Sequence, residues 1–390
     1  MPHSLSLLEA RKYLLDRQCL LSRKRSELGT AAALNTIEQL GYVQIDALSV
    51  VARAHLHTLW NRVDGFKSED LDKLQRDRKI YEYWVHALAI LPMKDYRYSL
   101  PMMNRIASGA VHWYPKNSKE TKKVLKRIRE EGPLSSKDFT DKKTSNSMWA
   151  RSPSKLALEQ LFMEGELMIP YRINFHKVYD LRERVLPAEI SVSTPSKEGY
   201  CRHLISSFLK AQGFGLAKEI GYLRKGVTND LRKVGSEMLE DGVLQLVEVA
   251  GQEYYCDSTL LKDGENTSNR SNFRILSPFD NAIIQRNRIY DLFGFDYKVE
   301  CYIPKAKRKF GYFCLPLLHK NKLIGRLDAK ADKKISVFHL FNLQFEDGIG
   351  KPQAVYRAFL TELKKFACFN GCEEIKLHRL SGATLKPEGL

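Results

Sequence analysis

Ala-Ala-Ala-Leu-Asn-Thr-Ile-Glu-Gln-Leu-Gly-Tyr-Val-Gln-Ile-Asp, from Ala31 to Asp46, contains both kinds of element from which the fold is built. Its first ten residues predict a helix over about 31–40. Gly41 ends that helix, because glycine adopts the left-handed conformation of a C-cap at little cost. The alternation of apolar and polar residues that follows is typical of a strand. A helix that leads directly into a short strand is the beginning of a winged-helix unit.

Gln44 and Asp46 lie two residues apart in the strand part of this stretch. Val43 and Ile45 alternate with them, and successive side chains of a strand point to opposite faces. The amide and the carboxylate therefore share the polar face, roughly 7 Å apart along the strand. From the residues alone a second interpretation stays open, in which Asp46 caps a helix after Ala47 and Gln44 is a solvated strand residue.

The same order of elements returns twice along the chain. Within 118–186 a charged helix, a short second helix and a third helix that opens at Ser152-Pro153-Ser154 precede two strand-like runs. A similar order is predicted within 201–256. After a polar linker over 258–272, short β-rich segments alternate with turn residues, and an amphipathic helix is predicted over 352–369.

The expected fold class is therefore α+β, with tandem winged-helix units followed by a β-rich, barrel-like domain at the carboxyl terminus. The predicted boundaries are 1–115, 116–190 and 195–260 for three winged-helix units, and 261–390 for the β-rich domain. The first unit contains the Gln-x-Asp motif. In a unit of this kind, the helix before the hairpin is the predicted recognition helix, and the hairpin is its wing.

The composition indicates a nucleic-acid partner. The 390 residues include 63 Lys and Arg against 46 Asp and Glu, a formal net charge of +17. Such a surplus favours polyanions, nucleic acid first and an anionic membrane surface second, although a well-solvated basic surface is the alternative. No stretch approaches about 18 uninterrupted apolar residues and no signal-peptide pattern opens the chain, so we expect a cytoplasmic protein without a membrane span.

The cysteines and histidines predict neither a disulfide framework nor a metal site. The seven cysteines are odd in number and scattered, without a Cys-x-x-Cys pair, which favours reduced thiols. His55 and His57 are spaced for zinc only on a strand, and no third ligand stands near them in the sequence. We expect no metal and no other cofactor.

The segment Gln44-Ile45-Asp46, with Ala54-His55-Leu56-His57-Thr58-Leu59-Trp60-Asn61-Arg62 after it, resembles the YcaQ/AlkZ-like family of winged-helix DNA glycosylases, in particular the branch that unhooks interstrand crosslinks. In that branch the signature is Gln, an apolar residue and Asp. The resemblance extends over most of the chain. It returns at Tyr81-Glu82-Tyr83-Trp84-Val85-His86, Leu276-Ser277-Pro278-Phe279-Asp280, Leu317-Leu318-His319 and Gly325-Arg326-Leu327-Asp328-Ala329-Lys330. One departure is that Ala87 follows His86, where family members often carry Glu.

The resemblance implies a monofunctional DNA glycosylase of base excision repair. It would hydrolyse the N-glycosidic bond of N-alkylated purines of the N7-alkylguanine type, including those in interstrand crosslinks. Asp46 is then the candidate to stabilise the positive charge that builds on the sugar and to deprotonate the attacking water, and Gln44 the candidate to hold the water or the sugar. The motif contains no lysine nucleophile, so we expect hydrolysis without strand cleavage.

Tyr83, Trp84 and His86 form the candidate substrate pocket, in which an aromatic ring could stack on a flipped or alkylated base. Core packing is the other interpretation of this cluster. The partner would be double-stranded DNA that contains alkylated or crosslinked bases, bound by a monomer. The alternative from a different functional class is a non-enzymatic winged-helix transcription regulator.

DNA contacts are predicted from basic and polar residues of the recognition helix, the wing and the carboxyl-terminal strands. These candidates are Arg53, Arg151, Ser154, Lys155, Arg172, His176, Arg326 and Lys330. Positive side chains in such places bind phosphates without base preference. Two alternatives stay open: the basic helix is a solvated face, and Arg326 and Lys330 belong to a surface ion-pair ladder that adds little stability.

Overall fold

The computed structural model describes residues 3–21, 28–110, 117–140, 151–259 and 273–381. The amino-terminal segment begins with strand β1 (His3–Leu5) and helix α1 (Leu7–Arg17). Ser6 caps α1 with a reciprocal pair of hydrogen bonds to Glu9, so the helix start is fixed by the local sequence.

The first unit contains the Gln-x-Asp motif. Its elements are α2 (Gly29–Leu40), β2 (Val43–Gln44), α3 (Ala54–Trp60), α4 (Ser68–Arg76), β3 (Ile80–Trp84), β4 (Leu88–Pro92) and α5 (Leu100–Ala107). The helix predicted over 31–40 is present, and it ends at Gly41 with a left-handed φ of 75°. The three strands form an antiparallel sheet in the order β2-β4-β3.

The second and third units repeat the order of helix, short strand, further helix and hairpin. The second consists of α6 (Ser118–Glu131), β5 (Leu134–Ser135), α7 (Pro153–Met163), β6 (Leu167–Ile173), β7 (His176–Leu181) and α8 (Arg182–Val185). The third consists of α9 (Lys197–Gln212), β8 (Phe214–Gly215), α10 (Ala217–Ile220), α11 (Thr228–Glu240), β9 (Leu244–Val249) and β10 (Gln252–Asp257). Their sheets have the orders β5-β7-β6 and β9-β10-β8, so in each unit the hairpin and the short strand lie in one sheet.

Packing between the units is extensive. β1 pairs in parallel with β9, so the amino-terminal segment, which the sequence placed in the first unit, lies against the third. Tyr81 and Tyr83 of β3 share one hydrophobic core with Leu158 and Phe162 of α7. The first and second units therefore bury their apolar faces against each other. The linker predicted over 258–272 lies almost entirely outside the described residues.

The carboxyl-terminal part is an open mixed sheet covered by a helix. Its elements are β11 (Phe273–Ile275), α12 (Arg286–Phe293), β12 (Cys314–His319), β13 (Lys322–Asp332), β14 (Val337–Phe345), α13 (Pro352–Phe369), β15 (Glu374–Leu377) and β16 (Leu380–Ser381). The order is β11-β12-β13-β14-β15, with β16 also beside β14. The expectation of a barrel-like domain is wrong: the apolar face of the sheet is buried under α13, which begins and ends where the sequence predicts. Covering a face with a helix removes the need to close the sheet.

A buried ion pair joins the first unit to the segment between β11 and α12. Both guanidinium NH groups of Arg62 donate to the carboxylate of Asp280 at 2.7 Å, and neither side chain is exposed to solvent. Two segments of the family resemblance, around Asn61-Arg62 and Pro278-Phe279-Asp280, therefore meet in space. Since an unpaired charge at this depth is very unfavourable, each partner requires the other.

Candidate active site

Gln44 and Asp46 both reach the same side of β2. Val43 and Gln44 pair with Ile90 and Ala89 of β4, and the backbone N–H of Ile45 donates to the carbonyl of Leu88 at 2.8 Å. Val43 and Ile45 are buried in the core of the first unit. The two polar side chains between and after them face a cavity instead.

The alternative in which Asp46 caps a helix is wrong. No helix follows Ala47: the next one, α3, begins at Ala54, and Arg53 is its N-cap. The Asp46 carboxylate accepts a hydrogen bond of 2.7 Å from the backbone N–H of Leu48, which turns the chain back at the end of the strand. Gln44 is not a solvated residue either, because only 6% of it is exposed.

Asp46 is a carboxylate held in a poorly solvated place. It makes no ion pair within the described residues, and its printed partner is the neutral backbone N–H of Leu48. Burial raises the pKa of Asp46 above its ordinary value of 3.8, and the hydrogen bond from Leu48 opposes that change. A carboxylate that no cation neutralises among the described residues suits a group that must attract a developing positive charge.

His86 positions Gln44. The imidazole Nε2 of His86 lies 3.0 Å from Oε1 of Gln44, and the ring is held edge-on between Tyr42 and Tyr222 at 5.3 and 5.6 Å. Burial, and after it the charge of Arg224, lowers the pKa of His86 to about 4, so the ring is neutral at neutral pH. Since the amide oxygen of Gln44 is an acceptor, Nε2 of His86 carries the proton. The NH₂ group of Gln44 is then left to donate into the cavity.

A cavity of about 420 Å³ lies between the first and second units. Its size is in the range typical of small-ligand sites, about 300–1,000 Å³. One wall comes from the Gln44 strand and from the turn between β3 and β4, and the other from α7 and the β6–β7 hairpin. The lining residues are Gln44, Ile45, Asp46, Ala47, Trp84, Ala87, Leu88, Arg151, Glu159, Phe162, Met163, Arg172, Phe175 and Lys177.

Two cations that the β6–β7 hairpin contributes to the cavity are neutralised by carboxylates. Arg172 forms a bidentate ion pair with Glu82 at 2.6 and 2.7 Å, and Nζ of Lys177 lies 3.0 Å from each carboxylate oxygen of Glu159. Burial lowers the pKa of Arg172, but the charge of Glu82 raises it by more. The pKa of Arg172 is therefore above its ordinary value. Asp46 is the cavity carboxylate without such a partner among the described residues.

The loop after Asp46 is attached to the carboxyl-terminal sheet. The carbonyl of Val50 accepts a 2.9 Å hydrogen bond from the backbone N–H of Ala331, which lies in β13. The backbone N–H of Ala52 donates to Oδ1 of Asn370 at 2.6 Å, just after α13. Parts of the chain that are far apart in sequence therefore hold the loop that carries the carboxylate.

The predicted substrate-pocket residues have three different environments. Trp84 lines the cavity, and His86 contacts Gln44. The prediction that Tyr83 contacts the substrate is wrong. Tyr83 is 1% exposed, packs against Phe162, and its hydroxyl donates to the carbonyl of Met163 at 2.6 Å. Its side chain is on the opposite face of β3 from Trp84, as strand alternation requires.

Two predicted DNA contacts are wrong because the side chains are buried. Ser154 has no exposed surface and lies on the inner face of α7. Arg326 is 5% exposed; its guanidinium lies between the rings of Phe295 and Phe310 at 4.5 and 4.0 Å and pairs with Glu346 at 2.6 Å. Arg326 therefore packs β13 against the preceding segment, and no surface ladder with Lys330 exists.

Some of the remaining basic candidates are exposed, and the others line the cavity or contact Phe175. Lys155, His176 and Lys330 are exposed, and Arg151 lines the cavity. Arg53 stacks on Phe175 at 3.8 Å, and Arg172 lies 4.5 Å from the same ring. Phe175 stands at the tip of the predicted wing, so this hairpin contacts the first unit and forms part of the cavity wall.

Sequence reasoning missed the residues that complete the cavity from the second unit. Glu159, Lys177 and Phe175 belong to no motif, and only the meeting of two units gives them a role. The helical periodicity of α7 could have indicated that Glu159, next to the buried Leu158, lies at the edge of the apolar face and is partly exposed.

An exposed aromatic residue beside the Asp46 loop was missed as well. Tyr302 is 72% exposed and lies in a short 3-10 turn, within the part of the chain where the sequence predicts β-rich segments. Cys301, its neighbour, packs with Leu48 against the carboxyl-terminal core. Burial and then the charge of Asp46 raise the pKa of Tyr302, which places the phenol within reach of the carboxylate's field.

The segment after Tyr302 is basic and its backbone is pinned. The carboxylate of Glu300 accepts hydrogen bonds of 2.8–3.0 Å from the backbone N–H groups of Lys309, Phe310 and Gly311. Lys305, Lys307 and Lys309 are exposed and make no ion pair within the described residues. The segment 300–311 thus presents an aromatic ring and several cations on a fixed backbone.

No group of three His, Cys, Asp or Glu side chains in the described part of the chain is arranged to hold a metal ion. His57 is buried, and its Nε2 lies 2.7 Å from the carbonyl of Ile275. The helices that the structure describes include none long and apolar enough to span a bilayer.

Comparison with known proteins identifies the family. A family model described as DNA glycosylase AlkZ-like matches residues 37–369. Among solved structures the chain is similar to Streptomyces sahachiroi DNA glycosylase AlkZ, with a TM-score of 0.63 and 16% sequence identity over 96% of this chain and 100% of that chain. At that identity the likeness shows the fold, whereas the family match covers most of the chain. The chain therefore belongs to the AlkZ-like family and is a DNA glycosylase.

Proposed function

We propose that this glycosylase hydrolyses the N-glycosidic bond of N-alkylated purines of the N7-alkylguanine type in double-stranded DNA, including those in interstrand crosslinks. The single observation that carries the proposal is the half-buried Asp46 carboxylate beside Gln44 at the edge of a cavity of suitable size. The reaction would belong to base excision repair, with a monomer as the acting form.

Asp46 acts on the sugar and on the water. As the bond to the base breaks, positive charge builds on the sugar, and a carboxylate nearby stabilises that charge. The same carboxylate then accepts a proton from the attacking water. Gln44, with its oxygen engaged by His86, donates its NH₂ group to the water or to a sugar oxygen. Removal of one preorganised stabilising group of this type lowers kcat by about 10²–10³-fold.

A purine alkylated at N7 already carries positive charge, so its departure needs little help from an acid. The polar groups that line the cavity are consistent with this. Of its two carboxylates Asp46 is the proposed base, and Glu159 is paired with Lys177. Ala87 in the cavity wall adds no further acid.

Lys177 does not make the enzyme a lyase. A lysine that forms a Schiff base must first lose its proton. Both carboxylate oxygens of Glu159 lie 3.0 Å from Nζ of Lys177, so the nitrogen that would form the Schiff base is held in an ion pair. We therefore propose hydrolysis without strand cleavage.

The position of Asp46 favours access by a crosslinked base. Asp46 is half-buried and the next residue, Ala47, is exposed, so the carboxylate stands at the mouth of the cavity. A base that stays tethered to the opposite strand can approach a group at the mouth more easily than one at the bottom. Exposed cations on both sides, such as Lys155 and Lys305, would bind the phosphates.

The test is base release followed by alkali treatment. We expect the purified protein, incubated with duplex DNA that contains one 7-methylguanine, to leave a site that breaks with alkali and not without it. Asp46→Asn should lose release while DNA binding is retained, and a duplex with an N7–N7 guanine crosslink should be separated into single strands by the wild type only. Breaks without alkali would contradict the monofunctional mechanism, and equal release by Asp46→Asn would contradict the role of the carboxylate.

The transcription regulator considered from the sequence is wrong, since the chain belongs to a family of DNA glycosylases. Size-exclusion chromatography tests the proposed monomer.

A further inference from the structure

The cavity contains a polar patch that the hydrolysis of the glycosidic bond does not use. It is formed by Glu159 of α7 and Lys177 of β7, and the hydroxyl of the buried Tyr179 of β7 donates to Glu159. The side chains of Glu159 and Lys177 are 16% and 19% exposed, and both residues line the cavity that Asp46 lines. The patch therefore faces whatever occupies the cavity.

Hydrogen-bonding capacity remains on both charged groups. The Lys177 ammonium has three N–H donors, and its contacts of 3.0 Å with the two oxygens of Glu159 leave one free for another acceptor. The Glu159 carboxylate has about four lone-pair sites, and Lys177 with the hydroxyl of Tyr179 at 3.2 Å occupies three. Burial, and then the charge of Glu159, raises the pKa of Tyr179, so this hydroxyl stays a donor.

This pattern is complementary to the Watson–Crick edge of guanine. That edge presents the acceptor O6 next to the donor N1–H, followed by the N2 amino group. Adenine presents the reverse order, with a donor at N6 and an acceptor at N1. Alkylation at N7 leaves the edge of guanine unchanged. It also adds a positive charge to the ring, which a carboxylate attracts.

The other walls suit a flat ring. Trp84, Phe162 and Phe175 line the same cavity, and aromatic side chains stack on bases without regard to their identity. Stacking would therefore hold any base, and the polar patch would choose among them. Enzymes that act on a base outside the helix read its Watson–Crick edge in this way.

We propose that Glu159 and Lys177 are specificity-determining residues that read guanine in the cavity, with Glu159 accepting a hydrogen bond from N2–H and Lys177 donating to O6. This inference rests on the proposed release of N7-alkylguanine. Asp46 carries out the hydrolysis, and the Glu159–Lys177 pair decides which alkylated purine is presented to it.

The experiment compares two N7-methylated bases that differ by one amino group. The duplexes contain either 7-methylguanine or 7-methylhypoxanthine, which lacks the N2 amino group. Release of each base is measured under single-turnover conditions for the wild type, Glu159→Gln and Lys177→Met. Each rate is divided by the rate of spontaneous release from the same duplex. We expect the wild type to prefer 7-methylguanine by about 10-fold or more, because a hydrogen bond to a charged group contributes by that order.

The two variants should differ in a way that a structural role would not produce. Glu159→Gln should lower release of 7-methylguanine and remove the preference, because Lys177 and Tyr179 occupy the one oxygen of the glutamine and its NH₂ group cannot accept from N2–H. Lys177→Met should lower both rates about equally and keep the preference, because both bases carry O6. Glu166→Gln, at an exposed position just beyond the same helix, is the matched control and should resemble the wild type.

The outcomes separate this inference from the proposed function. If Glu159→Gln slows release of both bases by the same factor, or of neither, the assignment is overturned while base release by the wild type still supports the proposed function. If Glu159→Gln does not fold, a wild type without preference for the N2 amino group overturns the assignment by itself. A wild type that releases neither base overturns the proposed function, and the reading of guanine with it.

Discussion

Nε2 of His86 lies 3.0 Å from Oε1 of Gln44, and this contact fixes which end of the Gln44 amide faces the cavity. We expect His86→Ala to lower the single-turnover rate by about 10-fold, because the freed amide samples several rotamers. The check is a double-mutant cycle with Gln44→Ala. If His86 acts through Gln44, its replacement should have almost no further effect in the Gln44→Ala background. Additive losses would show an independent role.

Asp46→Asn should retain or raise the stability of the fold. Asparagine keeps the oxygen that accepts from the Leu48 N–H and removes a carboxylate whose pKa is raised by burial. The ionised form is disfavoured in the folded state, so the contribution of Asp46 to stability is fully present below the ordinary pKa of 3.8 and is lost as pH rises through the raised pKa. The melting temperature of Asp46→Asn, relative to the wild type, should therefore increase over that interval and then stay constant. A variant that melts well below the wild type at pH 7 would mean that Asp46 has a structural role.

Ala87→Glu would add a third carboxylate to the wall of the cavity that Asp46 and Glu159 line. A like charge nearby raises the pKa of a carboxyl further. The wild-type rate is expected to fall on the acid side as Asp46 becomes protonated, and in Ala87→Glu this fall should begin at a higher pH. The measurement is the pH profile of the single-turnover rate, with Ala87→Gln as the neutral control of similar size. Equal profiles for the two variants would contradict an ionised Asp46 as the acting group.

The local sequence predicts much of the fold, and its failures have physical reasons. The helix that ends at Gly41 and the alternation around Gln44 depend on neighbouring residues, so they are readable from the chain. Ser154 precedes Leu158 by four residues on α7, and that spacing already indicates an inward position, which the Pro153 helix-start signal obscured. The barrel-like expectation failed because strand patterns do not show that α13 covers the sheet.

The candidate site could be predicted only in part. Gln44 and Asp46 share one side because of strand periodicity, which is a local property. The alternation that made Arg326 and Lys330 look alike is broken by an irregularity in the pairing of β13 at Asp328 and Ala329, which leaves Arg326 buried and Lys330 exposed. The pairing of Lys177 with Glu159 depends on how a helix and a hairpin meet, and no residue spacing reveals it.

Tyr302→Ala should lower the rate of base release, because an exposed ring near Asp46 is in place to stack on bases next to the lesion. Stacking on one base contributes about 1–3 kcal/mol, so we expect the rate or the affinity to fall by roughly 10-fold. Tyr302→Phe should retain most of the activity. Tyr290→Ala removes another tyrosine, 60% exposed, from α12 and serves as the control. Equal behaviour of the two alanine variants would exclude a specific role for Tyr302.

The ion pair of Arg172 with Glu82 should be important for stability. The side chains are 13% and 4% exposed, and loss of one partner leaves a charge with little water around it. We expect Glu82→Ala to lower the free energy of unfolding by about 3–5 kcal/mol. Glu130→Ala, which removes an exposed pair with Lys126, should change it by no measurable amount. Chemical denaturation of both variants gives the comparison, and a small effect at Glu82 would mean that water reaches this pair.

The hydrogen bonds that join Ala331 and Asn370 with the loop after Asp46 have a consequence for dissection of the enzyme. The acting carboxylate and the supports of its loop come from opposite halves of the polypeptide, so the first unit cannot serve as a minimal catalytic fragment. Shuffling of such units between relatives would transfer activity only if both halves travelled together.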